Sequence, residues 1–300
     1  MKKLVEYLRG GLGNQCFIYA MSRSLADRQG AALCLDTSYF HVDKVYRRQF
    51  MLDPFNIRID GLLDSPFLPA IRIRQIRYKF LSKHHKSLPG LRCENRPCRQ
   101  ESWIHDHRQP SRLTVDGYWQ SEKYFESNAA KIYKDLQFKD ASTFQADPAF
   151  HAIASQESSV FLHIRSYTDI PGKSDYSEAL PVSYYQNALR FLASKIDRAA
   201  LFVFSDDIEW AKSRITVPAT MTTQFIEPSG QGGDYDTYRD FFLMQQCRHG
   251  ICANSSFSWW ANWLGEWRQK QLNHPTLRIC VNQPFLNDDY WPVRWTAIEK

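Results

Sequence analysis

The segment from residue 249 to residue 267 constrains the fold more than any other part of the chain. A short apolar run, residues 249–253, leads directly into Asn254-Ser255-Ser256, and tryptophans at helical spacing follow at 259, 260, 263 and 267. Asn and Ser are preferred helix N-caps because their side-chain oxygens accept backbone N–H groups of the first turn. We therefore predict a strand, a polar cap and a helix. The N-terminus of such a helix can hold an anion, although a purely structural cap is the open alternative.

The same strand-to-helix pattern recurs in both halves of the chain. Residues 31–36 and 159–164 are apolar runs typical of strands buried in a parallel sheet. We predict the remaining elements as strands at 4–8, 113–117, 199–205 and 250–253, and helices at 14–29, 121–125 (its first turn), 181–195 and 238–247. This alternation predicts two α/β domains, residues 1–150 and 151–300.

Polar residues follow three of the predicted strands at their carboxyl ends, where parallel sheets bind ligands. These residues are Arg165, Ser205 and Asn254. A guanidinium can grip a diphosphate through two parallel hydrogen bonds, although Arg165 can instead pair with Asp206 or Asp240. His163 lies two residues before Arg165 and therefore shares its face of the strand. Its alternative role is that of a core histidine.

A glycine-rich turn, Gly10-Gly11-Leu12-Gly13-Asn14-Gln15, lies between the first strand and the first helix. It resembles a dinucleotide-binding loop, but Cys16 stands where the third glycine of that pattern belongs. The chain has no P-loop pattern. By itself the turn is weak evidence for nucleotide binding.

No strong metal motif is present. The seven cysteines are odd in number and scattered along the chain, so we expect reduced thiols and no cysteine metal site. Asp234-Tyr235-Asp236 is a D-x-D triplet of the kind that can chelate a divalent cation, but an exposed turn is the favoured interpretation. Patterns of zinc proteases and serine hydrolases are also missing from the sequence.

The net charge of +6 is concentrated in one basic insertion, residues 71–100, which holds nine Lys or Arg residues and one acid, Glu94. Apolar residues interleave with these charges, as on a basic amphipathic helix. Such a helix can contact an anionic membrane face or a nucleic-acid backbone. The alternative without a binding function is a solvated, poorly ordered insertion. We favour peripheral membrane contact over nucleic acid, because the chain lacks an RNA-binding signature.

The remaining composition describes a globular chain, with 43% hydrophobic and 14% aromatic residues. Charges among residues 2–9 interrupt any signal-peptide core, and no uncharged apolar run approaches the ~20 residues of a membrane span. We therefore expect a cytoplasmic protein, with the basic insertion at the inner membrane face.

Five motifs in fixed order give the chain a family resemblance. They are Gly10–Ala20, Gly117–Phe125, His163-Ile164-Arg165, Phe204-Ser205-Asp206-Asp207 and Asn254–Trp260. The set strongly resembles the bacterial α-1,2-fucosyltransferases of glycosyltransferase family 11, and it spans nearly the whole chain.

The resemblance implies a GT-B-like α/β fold of two facing Rossmann-type domains with parallel sheets. The N-terminal domain is then the acceptor side and the C-terminal domain binds the GDP-sugar. The implied reaction moves L-fucose from GDP-β-L-fucose to the 2-hydroxyl of a β-galactoside with inversion, without a cofactor or an obligatory metal. We expect an acceptor in O-antigen-type surface polysaccharide, as a galactose-containing and lipid-linked oligosaccharide. A related GDP-sugar enzyme with another linkage or acceptor is the alternative.

The resemblance also implies roles for individual residues. Arg165, beside His163, would hold the β-phosphate and stabilise charge on the leaving GDP. The other implied positions are Asn254, Ser255, Ser256 and Phe257 at the pyrophosphate, Ser205 and Asp206 near the nucleoside, Gly11, Gly13, Asn14 and Gln15 from the facing domain, and the aromatic residues 118, 119 and 124 beside the acceptor.

The chain departs from the family at one point. The family usually has His-x-Arg-Arg-Gly-Asp, whereas Ser166 and Tyr167 follow Arg165 here and an acid comes only at Asp169. This change affects the loop that contacts sugar or acceptor. Asp169, Asp175 and Glu178 are the candidates for the base that takes the proton of the acceptor hydroxyl, and the sequence does not choose among them; Asp169 is the first to test.

Overall fold

The computed structural model describes residues 2–83, 88–94, 104, 110–166, 179–283 and 289–300. These residues form two compact units. The first contains residues 2–139 and 289–292, and the second contains 140–283 and 293–300. The division lies near residue 140 rather than at 150, because the short helices at 142–154 pack on the second unit. There Asp147 accepts hydrogen bonds from the Arg239 guanidinium, with Nε at 2.5 Å.

The first unit is a five-stranded parallel sheet with helices along it. Its elements are β1 (Lys2–Tyr7), α1 (Leu12–Gln29), β2 (Ala31–Asp36), β3 (Gly61–Leu63), α2 (Leu68–Lys83), β4 (Leu91–Cys93), β5 (Arg112–Asp116) and α3 (Ala129–Asp135). The strand order is β3-β2-β1-β5-β4, so β1 is central. Every pairing in it is parallel.

The second unit holds a six-stranded parallel sheet. Its elements are α4 (Ser142–Gln145), α5 (Pro148–Ala154), β6 (Ser159–Ile164), α6 (Val182–Ala193), β7 (Ala199–Ser205), α7 (Ile208–Arg214), β8 (Met221–Phe225), α8 (Tyr235–Gln246), β9 (His249–Ile251), α9 (Ser256–Gln271), β10 (Arg278–Val281) and β11 (Thr296–Ile298). The strand order is β11-β10-β9-β6-β7-β8, again parallel throughout. Two parallel-sheet α/β units thus confirm the predicted fold class.

The elements with the strongest sequence patterns are those that the sequence located best. β6 is buried at every residue, as expected for a continuous apolar strand in a parallel sheet. β2 and β7 also have the predicted bounds. Helix α1 ends at Gly30, whose φ of 60° is the left-handed cap conformation that glycine adopts most readily.

Residues 121–128 do not continue into the predicted helix. They form two short 3-10 turns, 122–124 and 126–128, before α3 begins. The Ser121 hydroxyl accepts from the backbone N–H of Lys123 at 3.3 Å and donates to the carbonyl of Asp289 at 2.8 Å. Ser121 thus caps the short 3-10 turn at 122–124 rather than an α-helix.

The core of the second unit is built around the tryptophans of α9. Trp259, Trp260 and Trp263 are at most 1% exposed, and the rings of Trp259 and Trp260 lie 5.1 Å apart. None of the helices in the described part of the chain is both long and apolar enough to span a membrane.

Candidate functional site

Three neighbouring strands of the second sheet bring their polar carboxyl ends together. β6 lies between β9 and β7. Ile164 is in register with Ser205, and Leu162 is in register with Ile251. Arg165 lies three residues after Leu162, and Asn254 lies three residues after Ile251. The predicted positions therefore lie at one edge of the sheet.

Arg165 is bound to Asp206, the residue that follows β7. Its Nη1 donates to Oδ2 of Asp206 at 2.8 Å, and the backbone N–H of Ser166 donates to Oδ1 at 2.8 Å. Both side chains are mostly buried, at 18% and 14% exposure. The ion pair with Asp206, one of the two alternatives for Arg165, is therefore confirmed, whereas Asp240 lies beside Arg239. Since a guanidinium has five N–H donors, this pairing is compatible with anion binding.

His163 is a buried, neutral imidazole beneath these residues. It is 7% exposed, and its ring centroid lies 5.6 Å from that of Phe257. Burial, with a smaller contribution from the Arg165 charge, lowers the pKa of His163 to about 3. Its Nδ1 is buried and has no hydrogen-bond partner among the described residues. At neutral pH the side chain is therefore a neutral imidazole and cannot act as an acid in its imidazolium form.

The polar segment before α9 forms the predicted cap. Ser255 is the N-cap residue, and its hydroxyl accepts from the backbone N–H of Phe257 at 3.3 Å. Asn254 is 7% exposed, and Ser256 begins the helix. The Phe257 ring lies 5.3 Å from that of Phe241, which fixes the first turn. The first-turn N–H groups and the helix dipole together favour an anion.

Ser205 shapes the turn after β7. Its hydroxyl accepts from the N–H of Asp207 at 3.0 Å and donates to the Asp207 carbonyl at 3.1 Å. Asp207 in turn caps α7 by accepting from the N–H of Trp210 at 2.9 Å. These bonds hold Asp206 in the turn between Ser205 and Asp207. A contact of Ser205 or Asp206 with a nucleoside stays a prediction.

The glycine-rich turn of the first unit is tighter than predicted. Helix α1 begins at Leu12 rather than at Asn14, so Gly11 is the N-cap and Gly13 lies in the first turn. Gly10 has a φ of 74°, and a Cβ there would lie 2.6 Å from Nδ2 of Asn14. Only glycine fits that position. Gly11 has more room, with the Arg48 guanidinium 3.7 Å from where a Cβ would stand.

Gln15 and Asn14 fasten this turn to other segments of the first unit. The Gln15 amide donates to the carbonyls of Gly10 at 2.9 Å and Gln49 at 2.7 Å. Its oxygen accepts from the N–H of Met51 at 2.9 Å, and the side chain is fully buried. Asn14 accepts from the Gln120 amide at 2.8 Å. Gln15 thus has a structural function. Its expected contact with the sugar nucleotide stays a prediction.

Two of the aromatic residues expected beside the acceptor belong to the core instead. Trp119 is 0% exposed and Tyr124 is 1% exposed, with ring centroids 5.5 Å apart. Their packing explains why the motif contains them. Tyr118 alone of the three is partly exposed.

A buried charge cluster at the carboxyl ends of the first sheet was missed by sequence analysis. Arg9 follows β1 and forms an ion pair with Asp116, the last residue of β5. Its guanidinium lies 4.2 Å from the centre of the Tyr78 ring. Glu94 follows β4 and accepts from the N–H groups of Tyr118 at 2.7 Å and Trp119 at 2.9 Å. The available signal was that Arg9 and Asp116 lie at the ends of two predicted strands, whereas Glu94 follows a strand that was not predicted, and all three residues are far apart in sequence.

Several predicted positions lie outside the described residues. Asp169, Asp175, Glu178 and Tyr167 fall in 167–178, which is not among the described residues.

Across the described ranges, no three His, Cys, Asp or Glu side chains are grouped so that they could hold a metal ion. In the D-x-D triplet, Asp236 lies in the first turn of α8 and accepts from the N–H of Ser229 at 2.9 Å. Metal independence stays a prediction.

The thiols agree with the expected reduced state in the part of the chain that is described. Cys16, Cys34, Cys93, Cys247, Cys252 and Cys280 are buried free cysteines. Burial raises the pKa of Cys93 to about 11. Such thiols are inert packing groups.

Comparison with known proteins gives a consistent result over the whole chain. The profile of the family described as glycosyl transferase family 11 matches residues 7–299. The O-antigen biosynthesis glycosyltransferase WbnK of Escherichia coli is 30% identical, over 95% of this chain and 98% of its own. An alpha-1,2-colitosyltransferase of Escherichia coli is 28% identical over 100% of both chains.

A solved structure supports the fold independently. FUT1 of Arabidopsis thaliana, a point mutant in complex with GDP, superposes with a TM-score of 0.57 at 12% identity. The match covers 99% of this chain and 73% of that one. This likeness concerns the fold alone, and it agrees with the expected GT-B-like α/β class.

Proposed function

The chain belongs to glycosyltransferase family 11, and from that membership we propose that it transfers L-fucose from GDP-β-L-fucose to the 2-hydroxyl of a β-galactoside. The product is an α-1,2-linked fucoside, formed with inversion. Because the relative WbnK acts in O-antigen biosynthesis, we place the acceptor in the same class, as a lipid-linked, galactose-containing oligosaccharide.

One observation carries the proposal. Arg165 at the end of β6 stands level with the N-terminus of α9, at the edge of the sheet where parallel sheets bind ligands. A guanidinium and a set of first-turn N–H groups are both suited to the oxygens of a diphosphate. That combination fits a sugar nucleotide better than a neutral sugar.

The chemistry follows from charge development. When the bond between C1 of fucose and the β-phosphate oxygen breaks, the electron pair leaves with GDP and the diphosphate gains negative charge. Arg165, held in place by Asp206, and the α9 N-terminus would stabilise that charge more strongly in the transition state than in the ground state. Fixed positive groups of this kind replace the charge compensation that a metal ion supplies elsewhere, so we propose that no metal is required.

The acceptor 2-hydroxyl attacks C1 from the opposite side and must lose its proton. His163 is a poor candidate for the base that accepts this proton, because it is buried beside Phe257 and burial lowers its pKa to about 3. A carboxylate suits the role better, and we assign it to Asp169. An Asp169→Asn variant with full turnover would remove that assignment.

The test is a transfer assay with purified protein, GDP-fucose and a panel of galactosides in the presence of EDTA. We expect a fucosylated product, GDP release and an α-1,2 linkage by NMR. The Arg165→Ala variant should lose turnover, whereas Arg198→Ala should not, because Arg198 is exposed and precedes β7, at the opposite end of that strand from Ser205. Absence of both turnover and GDP binding would refute the proposed donor.

A second candidate is transfer of a colitosyl group from a GDP-linked donor. The colitosyltransferase relative matches the full length of the chain, and Ser166 departs from the arginine usual in fucosyltransferases of the family. Competition between GDP-fucose and GDP-colitose for the same galactoside separates the two. A kcat/KM ratio that favours colitose would make it the donor.

A further inference from the structure

Helix α2 has one apolar face in the core of the first unit. Ile71, Tyr78 and Leu81 are 2%, 8% and 5% exposed. On the same helix Arg74 forms an ion pair with Asp36 at 3.1 Å, and its guanidinium lies 3.7 Å from the centre of the Tyr7 ring. These contacts fix which side of α2 faces the protein.

A second apolar stripe lies on the other side of the same helix. Ile73, Ile76 and Phe80 are 58%, 67% and 53% exposed. Their spacing of three and four residues places them in one row along α2. Phe67, just before the helix, is 63% exposed. Large apolar side chains aligned in this way are unusual on a protein surface, and they indicate a surface that contacts a membrane or another molecule.

Cations border this stripe. Arg72, Arg77, Lys79 and Lys83 are all exposed, and the sequence of α2 contains no Asp or Glu. A row of apolar side chains flanked by cations is the arrangement of helices that lie in the headgroup region of anionic membranes. Long Lys and Arg side chains can there reach the lipid phosphates while the apolar row enters the acyl boundary.

We propose that the exposed face of α2 is a docking surface for an anionic lipid bilayer, with α2 lying parallel to the membrane plane. The stripe of Ile73, Ile76 and Phe80 enters the interface, and the four cations bind lipid phosphates. This proposal goes beyond the proposed donor and acceptor and does not depend on either.

The charge pattern selects this occupant over two others. A second copy of the chain would present the same cations, and like charges facing each other oppose association. Nucleic acid would match the cations, but a phosphate backbone gains nothing from a central row of aliphatic side chains. An anionic bilayer satisfies both features.

The test is flotation of the purified full chain with vesicles of phosphatidylcholine alone or with about one-third phosphatidylglycerol. We expect binding to the anionic vesicles only, weakening as salt increases. The I73S/I76S variant and the quadruple variant with Gln at 72, 77, 79 and 83 should each bind about tenfold more weakly or worse. Both variants change exposed side chains, so circular dichroism should show an unaltered fold.

Matched controls separate this surface from general stickiness and general charge. L272S/V293S removes two apolar residues that are 46% and 95% exposed in the second unit, and it should bind as the unmodified chain does. A quadruple variant with Gln at Lys44, Lys134, Arg198 and Arg214 removes exposed cations elsewhere. Because its net charge equals that of the α2 charge variant, any difference between the two belongs to α2.

Three results would overturn the proposal. Equal binding by the I73S/I76S variant and the unmodified chain would exclude the stripe. Equal losses in both quadruple variants would reduce the effect to net charge. Concentration-dependent dimerisation, abolished by I73S/I76S without any vesicle binding, would make the stripe an interface between copies. Soluble-acceptor turnover, measured in parallel, reports on the proposed function and should be unchanged in the α2 variants.

Discussion

The carboxylate of Asp206 binds the guanidinium of Arg165 and, through its other oxygen, the backbone N–H of Ser166, both at 2.8 Å. A carboxylate at the end of one strand thus orients the cation at the end of its neighbour. Asp206 acts on any bound anion through Arg165, so we regard it as a positioning residue.

Asp206→Asn should lower kcat/KM by about tenfold to a hundredfold, because a hydrogen bond between charged groups contributes about 1.5–3 kcal/mol. The measurement is steady-state transfer with a double-mutant cycle that includes Arg165→Lys. If Asp206 acts through Arg165, the combined loss is smaller than the sum of the single losses. Additive losses would instead favour the predicted contact of Asp206 with the nucleoside. Glu209→Gln, which breaks the exposed pair with Lys212, is the control for removal of a carboxylate.

Gln15→Leu should destabilise the first unit by roughly 2–4 kcal/mol, because it leaves two carbonyls and one N–H without their buried partner. The measurement is chemical denaturation monitored by circular dichroism. Gln246→Leu removes one partly buried bond, from its amide to the carbonyl of Phe242, and should cost less than about 1 kcal/mol. Equal effects of the two substitutions would show that the bonds of Gln15 to residues 10, 49 and 51 do not stabilise the fold.

As the pH falls below about 6.5, His163 and His249 should each lower the stability of the fold, whereas Asp240 and Glu6 should act in the opposite sense because burial raises the pKa of both carboxyls. Burial lowers the pKa of His163 to about 3 and that of His249 to about 4, so the unfolded chain binds protons at both residues that the folded chain does not. Each histidine contributes a slope of about 1.4 kcal/mol per pH unit in this window. His163→Gln should reduce the slope between pH 6 and 5 by about that amount, as measured by urea denaturation at each pH. An unchanged slope would mean that His163 is protonated in the fold.

Gly250→Ala should destabilise the second unit by about 2 to 3 kcal/mol. A Cβ at this position in β9 would lie 2.6 Å from Cζ of Phe161 and closer still to the Asn262 side chain. Both neighbours are in the core, so neither moves without cost. Gly30→Ala tests strain without overlap, since nothing lies within 4 Å of its Cβ position, and should cost about 1 kcal/mol. Thermal unfolding of both variants checks the order, and a Gly250→Ala variant as stable as the unmodified chain would contradict it.

Sequence analysis located best the features with a local physical cause. β6 could be predicted to the residue because an uninterrupted apolar run suits only a strand with both faces covered. The cap at Ser255 could be predicted because it depends on bonds within a few residues. Short edge strands such as β3 and β4 carry no such signal. Their three residues are fixed by pairing partners that are remote in sequence.

The candidate site shows the same limit. The sequence placed Arg165, Ser205 and Asn254 at strand ends, and the strand order brings them together. The order β9-β6-β7 is a property of the whole sheet, however, so the choice of Asp206 over Asp240 as the partner of Arg165 could not be made from sequence. The cluster of Arg9, Glu94 and Asp116 was missed for the same reason, because contact between them depends on β4 pairing with β5 and β5 with β1.

The bond from Asp206 to position 166 has a consequence for how this chain can diverge from its relatives. The donor is the backbone N–H of Ser166, and every amino acid except proline supplies that group. Replacing the arginine usual at this position by serine therefore leaves this hydrogen bond to Asp206 intact. Substitutions at position 166 can thus change the side chain next to Arg165 without breaking the hydrogen bond that holds Asp206.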